Sequence, residues 1–236
     1  MAAPPTAPQA ERDAILAALR PLVDGIAATF GPLCEVVLHD YRDPEKSVVA
    51  VAGSLTGREA GGAMSEIGMR VLARGDAATD ELNYRTRTAD GTLLKSSTMV
   101  LRDSTGAVFG ALCVNVDVTA VDRAHALLGA LAGGAGEVRE EPVTTFGNDI
   151  DAVVDAIVDA HLRRQDRTWA ALDRARRLDL FRSLDERGVF AVRGAVEQVA
   201  ARLAVSRASA YSYLSQARAA ADRAQPAATA PEGDRP

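Results

Sequence analysis

GAVEQVAARLAVSRASAYSYLSQAR, residues 194–218, predicts two short helices joined by a tight turn. In the first half, apolar side chains recur at helical spacing and polar ones take the opposite face. The apolar positions are Ala195, Val196, Val199, Ala200 and Leu203, and the polar ones are Glu197, Gln198 and Arg202. Ser206 stands where an N-cap belongs, because its hydroxyl can accept a hydrogen bond from the amide of Ala208 or Ser209. A second helix is therefore predicted to begin there.

The exposed face of this second helix favours DNA binding. At 100° per residue, one face holds Ala210, Tyr213, Leu214 and Ala217, and the opposite face holds Ala208, Tyr211, Ser212 and Ser215. Small and hydroxyl side chains permit close approach to a major groove, where arginine pairs with phosphate or guanine. The pattern is typical of a helix-turn-helix, although Ala204 stands where such motifs usually carry Gly. A helical hairpin that only packs would show the same spacing.

Basic charge is concentrated around this helix pair. The chain carries a net charge of −5, yet residues 161–223 hold 13 arginines against 7 acidic side chains, whereas residues 1–160 hold 13 basic and 23 acidic ones. Such asymmetry is typical of a DNA-binding domain attached to a regulatory domain. We expect contacts to bases or phosphates from Arg193, Arg202, Ser206, Arg207, Ala208, Ser209, Tyr211, Ser212 and Arg218.

Composition and motifs argue against several other classes of protein. Cys34 and Cys113 form no zinc-binding pattern, so buried reduced thiols are expected. The N-terminus lacks a signal-peptide core and no segment approaches 18 uninterrupted apolar residues, so we expect a cytoplasmic protein without a membrane partner. No nucleophile elbow or zinc-protease motif occurs, and the glycine-rich residues 57–62 lack the lysine of a phosphate loop. Neither an enzyme nor a cofactor is expected.

Upstream of the helix pair, the pattern predicts a small α+β domain. A first helix at 11–30 ends at Gly31-Pro32, strands follow at 34–39 and 47–52, and helical periodicity returns at 64–72. Strands at 82–88 and 92–101 then meet across the turn 89–91, and a last alternating strand follows the turn 103–106. Five strands in a two-plus-three arrangement with flanking helices are therefore predicted, followed by an all-α segment.

This order of elements resembles a YheO-like PAS domain followed by a helix-turn-helix, as in a family of bacterial regulators similar to the D-arginine utilisation repressor. The similar residues are VVLHD at 36–40, TGRE at 56–59, NYRT at 83–86, LKSST at 94–98, GALCVNVDV at 110–118 and the run 184–214. The resemblance spans roughly residues 15–218. It implies an α+β PAS-like domain with a five-stranded antiparallel sheet. It also implies a ligand-responsive regulator, usually a repressor of amino-acid or related metabolic genes.

The domain organisation follows from these elements. Residues 1–10 and 221–236 are rich in Pro and Ala and are expected to be disordered tails. Residues 11–120 form the PAS-like sensor, 121–148 a connecting helix and linker, and 149–220 a helical coupling segment with the helix-turn-helix. A helix at about 174–187 within that last segment is expected to end at Gly188.

Six polar residues in strands or at strand ends are candidate ligand contacts: His39, Asn83, Tyr84, Lys95, Ser97 and Asn115. For any one of them, solvent exposure or an internal hydrogen bond is the favoured interpretation. Asn115 stands out because it lies mid-strand on the face of Phe109 and Cys113 and would need a partner if buried. A small molecule with amine and carboxylate groups could supply that partner. Haem binding by His39 is disfavoured, because a lone histidine is usually not a ligand.

Together these features predict a homodimeric transcriptional regulator. An effector such as an amino acid would bind the PAS-like domain and shift the two recognition helices relative to paired half-sites in double-stranded operator DNA, about 34 Å apart. The alternative is that the PAS-like domain is an interaction module and the helix-turn-helix docks a protein partner.

Overall fold

A long helix, α1 (Ala7–Phe30), opens the computed structural model, which describes residues 6–132, 144–165 and 167–224. The helix begins at Ala7 because the side chain of Gln9 accepts a hydrogen bond from the backbone N–H of Thr6, the N-cap residue, at 2.9 Å. Residues 7–10 are therefore helical, and their assignment to a disordered tail is wrong; residues 1–5 lie outside the described part. As predicted, the helix ends at Gly31, whose φ is +68°.

Five strands form one antiparallel sheet. They are β1 (Cys34–Asp40), β2 (Val48–Ala52), β3 (Glu81–Arg87), β4 (Leu93–Arg102) and β5 (Val108–Asp117), in the order β2-β1-β5-β4-β3. The predicted two-plus-three arrangement is confirmed, and β5 joins the two parts by pairing with β1 and β4. The β3–β4 turn closes as expected, with Gly91 at φ +93°.

Helix α1 covers one face of this sheet. Leu16, Val23 and Ala27 are buried there with Val36 and Leu38 of β1. By length and composition alone, residues 7–33 would also be long and apolar enough to cross a membrane. In the structure, part of that apolar character covers the sheet, whereas Leu22 and Phe30 remain exposed.

The other face of the sheet shares its core with the helical half of the chain. Helix α2 (Glu66–Arg74) packs there, and beyond the sheet lie α3 (Thr119–Leu131), α4 (Ile150–Arg164), α5 (Arg174–Glu186), α6 (Ala195–Arg202) and α7 (Arg207–Ala224). One apolar cluster runs from Val37 and Cys113 of the sheet through Met69 of α2 to Ile157 of α4 and Phe181 of α5. The α+β domain and the helical domain are thus packed together. Residues 221–224 continue α7, so their assignment to the C-terminal tail is wrong. Residues 133–143, within the predicted linker, and 225–236 lie outside the described part.

The end of α5 joins the two halves. Gly188 follows the helix with φ +78°, which confirms its predicted place after the C-cap. A Cβ there would lie 2.3 Å from the backbone oxygen of Met69, so only glycine allows this approach to α2. Beside it, the guanidinium of Arg187 donates to both carboxylate oxygens of Glu66, at 2.7 and 3.0 Å. This contact ties the helical domain to the first turn of α2.

Candidate nucleic-acid interface

Helices α6 and α7 form the predicted helix-turn-helix. Their buried residues include Val199 and Ala200 of α6, and Ala210, Leu214 and Ala217 of α7, all in the central apolar cluster. These positions match the apolar faces expected from helical spacing. The opposite face of α7 is left towards solvent.

The turn between the two helices has a left-handed backbone conformation at the position where such motifs usually carry glycine. Ala204 has a φ of +54°, the left-handed conformation that usually selects glycine. The amide of Val205 then donates to the backbone oxygen of Ala200 at 2.9 Å and closes the turn. Alanine therefore occupies a position with a glycine-like conformation, at a cost of roughly 1–2 kcal/mol in that region.

Ser206 starts the second helix as predicted. Its Oγ accepts a hydrogen bond from the backbone N–H of Ser209 at 3.1 Å. Arg207 is consequently the first residue of α7, at the helix end that carries partial positive charge.

An aromatic cluster fixes the orientation of α7. The ring of Tyr213 stacks on Phe181 of α5 with 5.3 Å between centroids and meets Trp169 edge-on at 5.6 Å. The guanidinium of Arg177 lies 4.9 Å from the centre of the Trp169 ring. Because Tyr213 is held from two sides, the outward face of α7 has a defined direction.

That outward face is made of small and hydroxyl side chains. Ala208, Ser212 and Ser215 are exposed, and Ser209 is half-buried at the margin. Ser215 was left out of the predicted contacts, yet its position on the same face as Ala208 and Ser212 could have identified it. Because these side chains are short, another molecule can approach the helix backbone closely.

Tyr211 lies beside this face and is 51% exposed. Its hydroxyl donates to Oε1 of Glu197 on α6, at 3.2 Å. The negative charge of that carboxylate raises the pKa of Tyr211, so the phenol keeps its proton. Tyr211 is thus oriented from within the helix pair.

The predicted basic contacts fall into two groups. Arg193 and Arg207 are exposed, and neither has an ion-pair partner in the described ranges. The guanidinium of Arg202 pairs with Asp159 of α4, and that of Arg218 donates two hydrogen bonds to Asp185 of α5, at 2.9 and 2.7 Å. Arg193 and Arg207 are therefore available to an anion without first leaving a carboxylate.

Arg174 is a basic neighbour that the sequence reasoning missed. A groove of about 480 Å³ runs beside α7 and is lined by Arg174 together with Ala208, Ser209, Ser212, Tyr213 and Gln216. Nη2 of Arg174 donates to Oε1 of Gln216 at 2.7 Å, and Nε2 of Gln216 donates to Ser212 Oγ at 2.9 Å. The arginine-rich run at 174–177 was the available signal, but only the packing of α5 on α7 brings it to this groove.

The six candidate ligand contacts do not form one site. His39, Tyr84 and Asn115 share the sheet face that packs on α2 and α4, as the strand register shows. Asn83 and Lys95 line a groove against α3, and Ser97 accepts a hydrogen bond from the backbone N–H of Asn83 at 3.1 Å. Asn83, Lys95 and Ser97 thus lie on the opposite side of the sheet from His39, Tyr84 and Asn115, because successive strand positions point to opposite faces.

Asn115 finds its partners within the chain. Its side-chain amide donates to Glu35 Oε1 at 3.2 Å, and its oxygen accepts a hydrogen bond from Ser96 Oγ at 2.8 Å. Asn115 is buried, as its position suggested, but it requires no ligand to satisfy it.

Glu35 and Arg58 are the centre of this buried polar network, which we call the Glu35 network. Their side chains are 0% and 1% exposed and lie 2.8 Å apart. Glu35 also accepts hydrogen bonds from the backbone N–H and the hydroxyl of Thr56, at 2.8 and 2.6 Å. The network fixes residues 56–58 to the sheet, with Phe146 over the Arg58 guanidinium at 5.0 Å.

His39 belongs to the same network. Its Nε2 lies 3.1 Å from Nη1 of Arg58, and its Nδ1 lies 3.0 Å from Ser47 Oγ. Because arginine can only donate, Nε2 is the acceptor and Nδ1 carries the proton. Burial, reinforced by the charge of Arg58, lowers the pKa of His39 well below its ordinary value. Both ring nitrogens are engaged, which leaves no position for an iron ligand.

A sensor-like α+β domain packed on a helix-turn-helix defines a class of DNA-binding regulators. The model of the YheO-like PAS domain matches residues 10–133, more than half of the chain, and a helix-turn-helix domain model matches 153–215. The chain belongs to the YheO-like PAS family, which confirms the resemblance noted in the sequence.

Similar proteins cover nearly the whole chain. The transcriptional regulator DauR of Pseudomonas aeruginosa is 29% identical over 214 residues, which span 89% of this chain and 98% of DauR. YheO of Escherichia coli K12 is 27% identical over 205 residues, spanning 86% and 84%, and a Haemophilus influenzae protein is 27% identical over 207 residues, spanning 87% and 92%. The protein is thus a transcriptional regulator with a PAS domain and a DNA-binding helix-turn-helix.

Proposed function

We propose that the protein is a cytoplasmic, ligand-responsive repressor that binds operator DNA as a homodimer and controls genes of amino-acid or related metabolism. It acts by binding rather than by catalysis. The outward face of α7 carries the proposal, because small exposed side chains there are framed by arginines and held in a defined orientation. The relative DauR bears the name of a transcriptional regulator.

In the proposed complex, the N-terminal half of α7 enters the major groove. Arg207 stands at the N-terminus of the helix, where the helix dipole also favours the negative charge of phosphate. Ala208 and Ser212 follow on the outward face and face the base edges. Arg174, which lies beside α7, and the exposed Arg193, which precedes α6, contact the phosphate backbone. Arg202 and Arg218 must exchange a carboxylate for a phosphate.

Two apolar surfaces support the homodimer. Val121, Leu127, Leu128 and Leu131 of α3 are 62–77% exposed, and α3 has no buried residue. Leu22 and Phe30 of α1 are 49% and 57% exposed. Soluble proteins seldom leave large side chains together in water without a partner. A second copy that covers them would also supply the second recognition helix for a paired site.

The test begins with selection of binding sites from random double-stranded DNA by the full chain. We expect a palindromic sequence with half-sites about one helical turn apart, and binding that weakens steeply with salt. Ala208→Glu places a negative charge at the centre of the outward face and should abolish binding. Ala73→Glu, at an exposed position of α2, is the matched control. Absence of DNA binding even at low salt would overturn the proposal.

Sedimentation tests the dimer separately. A dimer at micromolar concentration is expected, and a monomer there contradicts the paired-site arrangement. Repression is tested with a reporter placed behind the selected site, since a repressor lowers and an activator raises its expression.

A further inference from the structure

A cleft of about 480 Å³ lies where the sensor domain meets α4. Its lining comes from the loop after β2, the β3–β4 turn, the segment before α4, and α4 itself. The lining residues are Ser54, Leu55, Thr56, Gly57, Thr88, Ala89, Asp90, Thr144, Thr145, Phe146, Ala156, Ala160 and Arg163. This volume is within the range of small-molecule sites.

The sensor side of the cleft is well fixed. Thr56 is bound to the buried carboxylate of Glu35, and Phe146 lies against Arg58. The backbone N–H of Thr144 donates to the backbone oxygen of Arg87 at 3.1 Å. A ligand in this cleft would therefore meet preformed walls rather than a loose loop.

The α4 side supplies space and a positive charge. Ala156 and Ala160 lie one turn apart on α4 and bring only methyl groups to the cleft. Arg163 follows on the same helix, is exposed, and has no hydrogen-bond or ion-pair partner among residues 6–132, 144–165 and 167–224. An unpaired guanidinium beside a cleft is a suitable anchor for a carboxylate.

The β3–β4 turn supplies the opposite charge. The carboxylate of Asp90 accepts hydrogen bonds from the hydroxyl of Thr88 and from the backbone N–H of Thr92. The bond from Thr88 is the main cause that lowers the pKa of Asp90, so this wall is negative at neutral pH. Ser54, Thr56 and Thr144 line the space between the walls, and the Thr56 hydroxyl is directed to Glu35.

We propose that this cleft binds a small zwitterion of the α-amino-acid type, with its carboxylate on Arg163 and its ammonium group near Asp90. The site rests on the proposed function, for which it would be the effector site. Since Asp90 belongs to the sensor and Arg163 to α4, one ligand contacts both halves of the chain. Binding stabilises one arrangement of the two and thereby changes how α6 and α7 are presented to DNA.

The experiment is isothermal titration calorimetry of the full chain with the proteinogenic L-amino acids and their D-enantiomers, one at a time. At least one is expected to bind. Arg163→Gln, Asp90→Asn and Ala160→Leu, which fills the cleft, should each weaken that binding by about tenfold or more. Ala156→Leu replaces Ala160→Leu if the latter does not fold by circular dichroism. Arg164→Gln changes the neighbouring arginine, which does not line the cleft, and should bind as the wild type does.

Two results would overturn the proposal that the cleft is the binding site. One is that the wild type binds no amino acid, and the other is that the cleft variants bind it as the wild type does. Acetate and inorganic phosphate serve as anion-only probes. If they bind as well as the amino acid does, the proposal that the ligand is a zwitterion is overturned. DNA binding by the ligand-free wild type is measured in parallel. If the wild type does not bind DNA, the proposed repressor is contradicted; if it binds DNA but no amino acid, only the proposed cleft site is contradicted.

Discussion

The Glu35 network inside the sheet and the outward face of α7 both contain arginine and hydroxyl side chains. Inside the sheet, Glu35, Arg58 and Asn115 each bond to another part of the chain. On α7, Arg207 and Ser215 are exposed, and neither side chain has a hydrogen-bond or ion-pair partner within the described residues. The difference lies in the surroundings of the residues rather than in their types.

This difference separates a structural from a functional role. A buried polar group must be satisfied by the fold itself, because leaving it unpaired costs free energy. A polar group that the fold leaves exposed on a rigid helix remains available to another molecule. Removing members of the first set should lower stability, and removing members of the second should lower binding.

The largest effect is expected in the Glu35 network. Arg58→Met leaves the carboxylate of Glu35 buried without its cation and should lower the free energy of unfolding by about 3–5 kcal/mol. Urea denaturation measures it. The double variant Glu35→Leu/Arg58→Met removes both charges and should recover much of the loss. Arg207→Ala should stay within about 0.5 kcal/mol of the wild type. Equal stability of Arg58→Met and the wild type would show that the network is not structural.

The second effect concerns DNA binding by the two groups of arginines. Arg207→Ala should cost about 1–3 kcal/mol of binding free energy and reduce the salt slope by about one. Arg218→Ala should cost less, because Arg218 is already paired with Asp185. Fluorescence anisotropy on the selected site, over a salt series, measures both. Lys46→Ala, at an exposed position before β2, is the control. An equal loss for Arg207→Ala and Arg218→Ala would remove the distinction between free and paired arginines.

A third effect is the pH dependence of stability that the buried histidines produce. Burial lowers the pKa of His161, with the charges of Arg164 and Arg187 acting in the same direction and Asp179 opposing them. The unfolded chain therefore takes up a proton first, and the free energy of unfolding should fall as pH drops below the ordinary value of 6.5. His39 contributes in the same direction.

Urea midpoints between acidic and neutral pH check this third effect. His161→Leu should flatten the dependence. A wild-type midpoint that rises on acidification would have the wrong sign and contradict it.

The smallest effect is at the turn of the helix pair. Ala204→Gly relieves the left-handed conformation of alanine and should raise the free energy of unfolding by about 0.5–1 kcal/mol, after the larger entropy of unfolded glycine is counted. Ala201→Gly, within α6, should lower it by about the same amount. Chemical denaturation of the two variants measures the difference, and DNA affinity should not change for Ala204→Gly. If both substitutions destabilise, the turn does not have the described backbone.

Local patterns predicted much of the architecture. The strand alternation, the turn at Gly91 and the caps at Ser206 and Gly188 all depend on residues close in sequence, and the structure confirms them. The start of α1 was missed because Thr6 and Gln9 form a cap within a segment whose composition suggested disorder. Arg174 was missed because its groove is formed with α7, which lies far along the chain.

For the candidate ligand contacts, local sequence patterns did not predict which side chains lie together. Asn83 and Tyr84 are adjacent in sequence but belong to different sides of the sheet, with the left-handed φ of +58° at Asn83 accompanying an irregularity in β3. Glu35 carried no sequence signal, since a carboxylate within an apolar strand has meaning only when Arg58 is brought to it.

The sequence by itself determined the two kinds of domain, the family and the position of the helix-turn-helix. These follow from periodicity, caps and charge distribution, which act over a few residues or over whole halves of the chain. Only the tertiary structure decided which polar groups are partnered, that α5 frames α7, and that the sensor and α4 enclose a common cleft. Those features depend on distances between residues far apart in sequence, which burial and packing of the apolar core determine.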